Sequence, residues 1–289
     1  MTDDRMRDRV RPDLARSGER RGFACSGALS LTEIAESAAD AEALGYACVW
    51  ITVLRGVTNP VDVLESALRA TAGIEVGLGL VPLDAFPAAT LAAQLARAPA
   101  RVIIGLGVGQ HLRGAAPFWL AGAAEFRAHA PGLRIAVGSY GPRVLRAAGA
   151  CADSALLNWM TPERVNWAAH QLDIGAHASG RPDAVRPIYV YVPTAAGPAA
   201  KQQLDGAMRA MAAYEYHRRH QAALAGATIG MTVDASGALA PDVPDFGFDA
   251  IPVINPTGES TSEQRKALLH ACGPRATARV SSRHQSDPC

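Results

Sequence analysis

Short apolar runs alternate with capped helical runs along most of the chain, and that alternation limits its fold more than any other feature. The apolar runs are RGFACS (21–26), YACVWIT (46–52), IEVGLGLV (74–81), RVIIGLGV (101–108), LRIAVG (133–138), SALLNW (154–159), RPIYVYVP (186–193) and DAIPVI (249–254). Several are apolar on successive residues, the pattern of a parallel strand covered on both faces. The intervening segments carry helix punctuation. Ser30 and Glu33 form a capping box before LTEIAESAADAEAL, where Leu31, Ile34, Ala38 and Leu44 share one stripe and Gly45 marks the end. Asn59-Pro60 opens a second helix, and Pro87, Gly141-Pro142 and Thr161-Pro162-Glu163 are expected to repeat the device. Ser260 with Glu263 predicts a last capping box, closed by Gly273.

Repeated strand–helix units with short links imply a parallel sheet. Eight of them predict an α/β chain folded as a (β/α)8 TIM barrel, whose usual size is about 250 residues. An open doubly wound sheet would need a glycine-rich turn after the first strand, and RGFACSGALS has none. The expected organisation is one domain over 21–272, with flexible charged tails at 1–20 and 273–289. Residues 195–248 are too many for one helix. They predict a long helix at 198–224 followed by an irregular insertion, ATIGMTVDASGALAPDVPDF.

Composition narrows the function. Twenty-eight Lys+Arg against 27 Asp+Glu leave a net charge of +1, without the basic surplus of a nucleic-acid binder. No apolar run reaches the roughly 18 residues of a membrane span, and the charged N-terminus lacks a signal-peptide core. The five cysteines are scattered, with no C-x-x-C pair, so free thiols in a reducing cytoplasm are expected.

In a barrel of this kind the active site lies at the C-terminal ends of the strands. Those ends carry Thr52-Val53, Gly79-Leu80-Val81-Pro82, Gly105 to His111, Gly138 to Arg143, Asn158 to Thr161, and Asn255. They hold no carboxylate pair, no Ser/His/Asp set and no metal-ligand spacing. A rim of glycine, amide and aromatic residues suits an organic cofactor that brings its own chemistry. In Gly138-Ser-Tyr-Gly-Pro-Arg143 a strand passes into a helix. Its backbone N–H groups, with Arg143, could hold a phosphate, or the loop could be an ordinary turn. Gly105-Leu-Gly-Val-Gly109 could let the backbone approach a flat ring or a neighbouring element. His217 with His220, and His170 with His177, read as helix faces. Trp50, Trp119 and Trp167 read as core or interface.

The stretches AEALGYACVW (41–50), ALRATAGIEVGLGLVP (67–82), RVIIGLGVG (101–109), GSYGPRVLRAAGACADSALLNWMTPE (138–163) and AYEYHRRH (213–220) resemble the luciferase-like monooxygenases, in the deazaflavin (coenzyme F420)-dependent oxidoreductase branch and in a short form of it. The resemblance implies an enzyme that moves a hydride between a deazaflavin and a small organic substrate. FMN-dependent oxygenation and a catalytically silent binding barrel are the alternatives. It implies a ring against Gly79 and Leu80, where the family often has a non-prolyl cis bulge, with Thr52, Gly107 and Gly138 nearby. A phosphate would sit at Ser139, Tyr140 and Gly141 with Arg143, and Asn158 and Trp159 would line the cofactor. A homodimer through the helices after strands two and three is also implied. This chain departs from the family in having Thr52-Val53 in place of Asp-His, Gln110 in place of Glu, and a short segment between Gly109 and Leu133. Gln110 and His111 are then the catalytic candidates, His111 being able to titrate near neutral pH.

Overall fold

The strand–helix alternation closes into a barrel in the computed structural model, which describes residues 20–107, 116–181, 187–211, 230–233, 243–247, 250–257 and 261–274. The chain order is β1 (Gly22–Ser26), α1 (Leu31–Ala43), β2 (Cys48–Thr52), α2 (Pro60–Arg69), β3 (Glu75–Pro82), α3 (Ala88–Leu95), β4 (Val102–Gly107) and α4 (Ala116–His129). It continues with β5 (Arg134–Val137), α5 (Pro142–Cys151), β6 (Ser154–Asn158), α6 (Pro162–Ala178), β7 (Ile188–Ala196), α7 (Ala200–Met211), β8 (Met231–Val233), β9 (Ala250–Pro256) and α8 (Ser262–Cys272). Strands β1 to β7 pair in parallel in chain order, and β9 joins β7 to β1. Eight parallel strands thus close a (β/α)8 TIM barrel, each of them lying on a predicted run. The ninth, β8, pairs among the described residues with Thr194–Ala196 of β7. It falls where an irregular insertion was expected.

Local chemistry accounts for several helix starts. Ser30 and Glu33 cap α1 reciprocally, the Asn59 side chain accepts from Val61 N, and Thr161 accepts from Arg164 N. Two expectations shift by one residue. Pro87 is the N-cap of α3 and not its first helical residue. The last capping box is Thr261 with Gln264, because Thr261 holds the extended cap conformation. Gly45 takes the left-handed conformation (φ 83°) after α1, as a C-terminal stop requires.

Two packed regions hold the barrel. Outward-facing strand residues such as Phe23, Val49, Ile104 and Leu157 meet the helices in the larger core. Inside, Ala24, Cys48, Trp50, Ile103, Ala136, Leu156, Tyr189, Tyr191, Ile251 and Val253 fill the barrel. Helices α5 and α6 cross closely at Gly149 and Gly175, where an added Cβ would stand 2.0 Å from Leu172 O and 1.8 Å from Arg146 O. Among the described residues no helix is long and apolar enough to cross a membrane.

Candidate active site at the barrel mouth

Strand alternation sends Glu75, Gly77 and Gly79 of β3 toward the barrel axis, and the indole of Trp50 lies over the two glycines. An added Cβ at Gly77 would come within 2.4 Å of that ring. Above it the chain bulges: the register with β4 shifts between Gly79 and Val81, and the Gly79–Leu80 peptide is cis. This is the position the family resemblance implied. Tyr191, buried on β7, donates its hydroxyl to Gly79 O across the barrel at 3.2 Å.

The bulge directs Leu80 across β4 and β5. An added Cβ would meet the Leu80 side chain at 3.1 Å from Gly105, 3.0 Å from Gly107 and 2.2 Å from Gly138. Gly107 and Gly138 therefore act here by making room for Leu80. Its partly buried side chain packs on the Trp50–Leu156 cluster and forms an apolar platform at the mouth.

Around the platform the polar groups are sparse. Thr52 Oγ accepts from Gly27 N at 3.2 Å, so it holds the β1–α1 turn. Ser139 Oγ accepts from Gly141 N at 3.1 Å, and no side chain caps α5. With Pro142 at its first position, α5 presents its first free N–H donors at Arg143 and Val144, beside the exposed Arg143 side chain. Arg164 was not foreseen. It leaves the first turn of α6, stacks 3.5 Å above the Trp167 ring and donates to Tyr140 O at 3.5 Å. Two arginines thus adjoin the Ser139–Gly141 loop, Arg143 along the chain and Arg164 in space. Only adjacency in space reveals the second, because 21 residues separate the two positions.

Asn158 ends β6 with a buried Oδ1 that has no hydrogen-bond partner among the described residues. A buried acceptor left unmatched is costly and commonly marks a place a ligand completes. Trp159 follows in the left-handed region (φ 55°), unusual for a bulky residue. Its side chain turns from the platform and packs on Ala207, Met208 and Met211 of α7. Gln110, His111, His217 and His220 lie outside the described residues. His170 and His177 are exposed on α6, as expected for a helix face. Among the described residues no His, Cys, Asp and Glu group could hold a metal ion.

No family model and no curated protein matches the chain. Solved structures do. The chain is similar to an F420-dependent secondary alcohol dehydrogenase solved with an F420–acetone adduct, at 14% identity and a TM-score of 0.65 over 88% of this chain and 98% of that one. It is similar to the coenzyme F420-dependent tetrahydromethanopterin reductase of Methanopyrus kandleri, at 15% identity and 0.63 over 89% and 99%. A riboflavin lyase with modified FMN follows, at 11% identity and 0.61 over 93% and 92%. The chain therefore shares the barrel fold of these proteins, the fold that its sequence resemblance implied.

Proposed function

We propose that the protein is an oxidoreductase that binds a deazaflavin at the mouth of its barrel and moves a hydride to or from a small organic substrate. The observation that carries this reading is the Leu80 platform beside the uncapped start of α5. A flat apolar surface and an anion-binding helix end, side by side, match a ring with a phosphorylated tail. The bound ring would supply the hydride chemistry. The chain's own residues would bind and orient it: Leu80 would back the ring, Asn158 Oδ1 would offer a buried acceptor, and the start of α5 with Arg143 and Arg164 would hold the tail. Such positioning accounts for much of the rate in a hydride transfer that needs no strong base. Gln110 and His111 are the candidates for any proton step, with His111 as donor.

FMN is the second reading, favoured by the same platform and by the riboflavin lyase likeness. Absorbance titration with each cofactor distinguishes them. We expect deazaflavin to bind, and Arg143→Ala to weaken it about tenfold through loss of a bidentate phosphate contact. Failure of both cofactors to bind would overturn the reading. Binding without turnover over a broad panel of substrates would leave a silent barrel. We further propose a homodimer through α2 and α3, to be checked by sedimentation. The four described cysteines are all free thiols, which fits a reducing cytoplasm.

A further inference from the structure

Among the described residues, strand pairing along one edge of β7 is interrupted. Strand β6 pairs with β7 only as far as Asn158 opposite Tyr191, and β8 takes up the same edge of β7 only from Thr194. Among the described residues Val192 and Pro193 have no strand neighbour on that edge. The gap holds a cavity of about 70 Å³ lined by Met160, Thr161, Pro162, Tyr191, Val192, Gly230, Pro244 and Phe246. That space exceeds what one water needs.

None of these residues is charged, and their hydroxyls are engaged: Thr161 caps α6, and Tyr191 donates to Gly79 O. The carbonyl of Val192 accepts from Thr194 Oγ at 2.7 Å. What remains to meet a ligand is the apolar surface of Met160, Pro162, Val192, Pro244 and Phe246. An ionised group there would lose its hydration without gaining a partner. Tyr191 connects the cavity to the platform, since the residue that lines the gap also holds the bulge.

We infer that this gap is the substrate's apolar subsite, taking the uncharged hydrocarbon end of an organic molecule whose reacting end faces Leu80. The assignment rests on the oxidoreductase reading for its role, but the subsite has its own test. The probe is benzene, titrated into the full chain and followed by methyl NMR at Met160 and Val192. We expect saturable shifts at both methyl groups and binding of benzoate at least about tenfold weaker. Phe246→Trp, which fills the cavity, should abolish the benzene shifts, and Phe246→Ala, which enlarges it, should retain them. Deazaflavin titration of the same samples separates the two readings. Benzene binding without deazaflavin binding leaves the subsite and removes the cofactor. Deazaflavin binding without shifts at Met160 and Val192, or benzoate binding as well as benzene, overturns the subsite.

Discussion

The two ends of this barrel are built on opposite terms. At the N-terminal end, charged and polar side chains answer one another across the interior. Glu75 on β3 receives Arg134 from β5 at 2.8 Å and the Tyr189 hydroxyl from β7 at 2.8 Å. At the C-terminal end the described interior carries no ion pair; it presents Leu80, three glycines and an amide oxygen without a partner. The lower end is not fully matched either, since Arg134 Nε and Ser154 Oγ also have no partner among the described residues. The difference is in what a substitution would remove. Below, it would break an existing match and lower stability. Above, it would remove a group that waits for a ligand, lowering binding while leaving the fold intact, as expected where function is kept at some expense of stability.

The largest test is alkaline pH, which bears on the buried wall and lower end. Burial pushes Cys25 and Cys272 up to about 12, and Cys48 higher still, from the usual thiol value of 9.0. A folded-state pKa above the unfolded one means that the unfolded chain releases protons first. Stability is then complete below pH 9 and falls as pH rises toward 12. Each thiol should cost about 1 kcal/mol per pH unit in that window, read by urea denaturation. The same burial should keep these thiols unreactive toward alkylating reagents at neutral pH.

Glu75→Ala comes next. It leaves Arg134 unpaired in a half-buried position (side-chain exposures 34% and 23%) and takes the acceptor from Tyr189. We expect a loss of about 2 kcal/mol by urea denaturation, with deazaflavin affinity unchanged. Weakened deazaflavin binding in a folded Glu75→Ala protein would show that the two ends are coupled. Tyr191→Phe tests the bond that ties the bulge to the opposite wall. Removing a neutral buried hydroxyl should cost about 1 kcal/mol, because Gly79 O loses its donor, and should weaken deazaflavin together with stability. Asn158→Leu is the smallest in stability and the sharpest in contrast. It removes an unmatched buried oxygen, so thermal stability should hold or rise by up to about 1 kcal/mol while deazaflavin binding weakens. A large destabilisation would mean that Asn158 belongs to the fold and not to the site.

Much of this architecture was legible in the residues. Each predicted run lies on a strand because a covered parallel strand needs unbroken apolar sequence, as in Val102–Gly107. The helix starts at Ser30, Asn59 and Thr161 were legible because caps act over two or three residues. The rim positions followed from the strand ends. The short strand β8 was not legible: MTV has three residues, and its strand partner among the described residues is an edge of β7 about 37 residues earlier. Likewise, the glycines at 105 and 107 read equally well as room for a ring or for a neighbour, and Gly138 as part of a phosphate loop or of an ordinary turn. Nothing in their spacing names Leu80 as the occupant.

The sequence by itself determined the strand–helix order, the boundaries set by local caps, the closed parallel sheet and a mouth rich in glycine and amide groups with no carboxylate pair. These depend on interactions within a few residues, or on the periodic placement of apolar groups. Tertiary structure alone decided that Tyr191 holds Gly79, that Glu75 joins Arg134 to Tyr189, that Arg164 stands beside the Ser139–Gly141 loop, and that, among the described residues, strand pairing on β7 is interrupted between β6 and β8. Those arrangements join residues up to 114 positions apart. Their partners are set by the stagger of strands around a closed barrel, which no local pattern encodes.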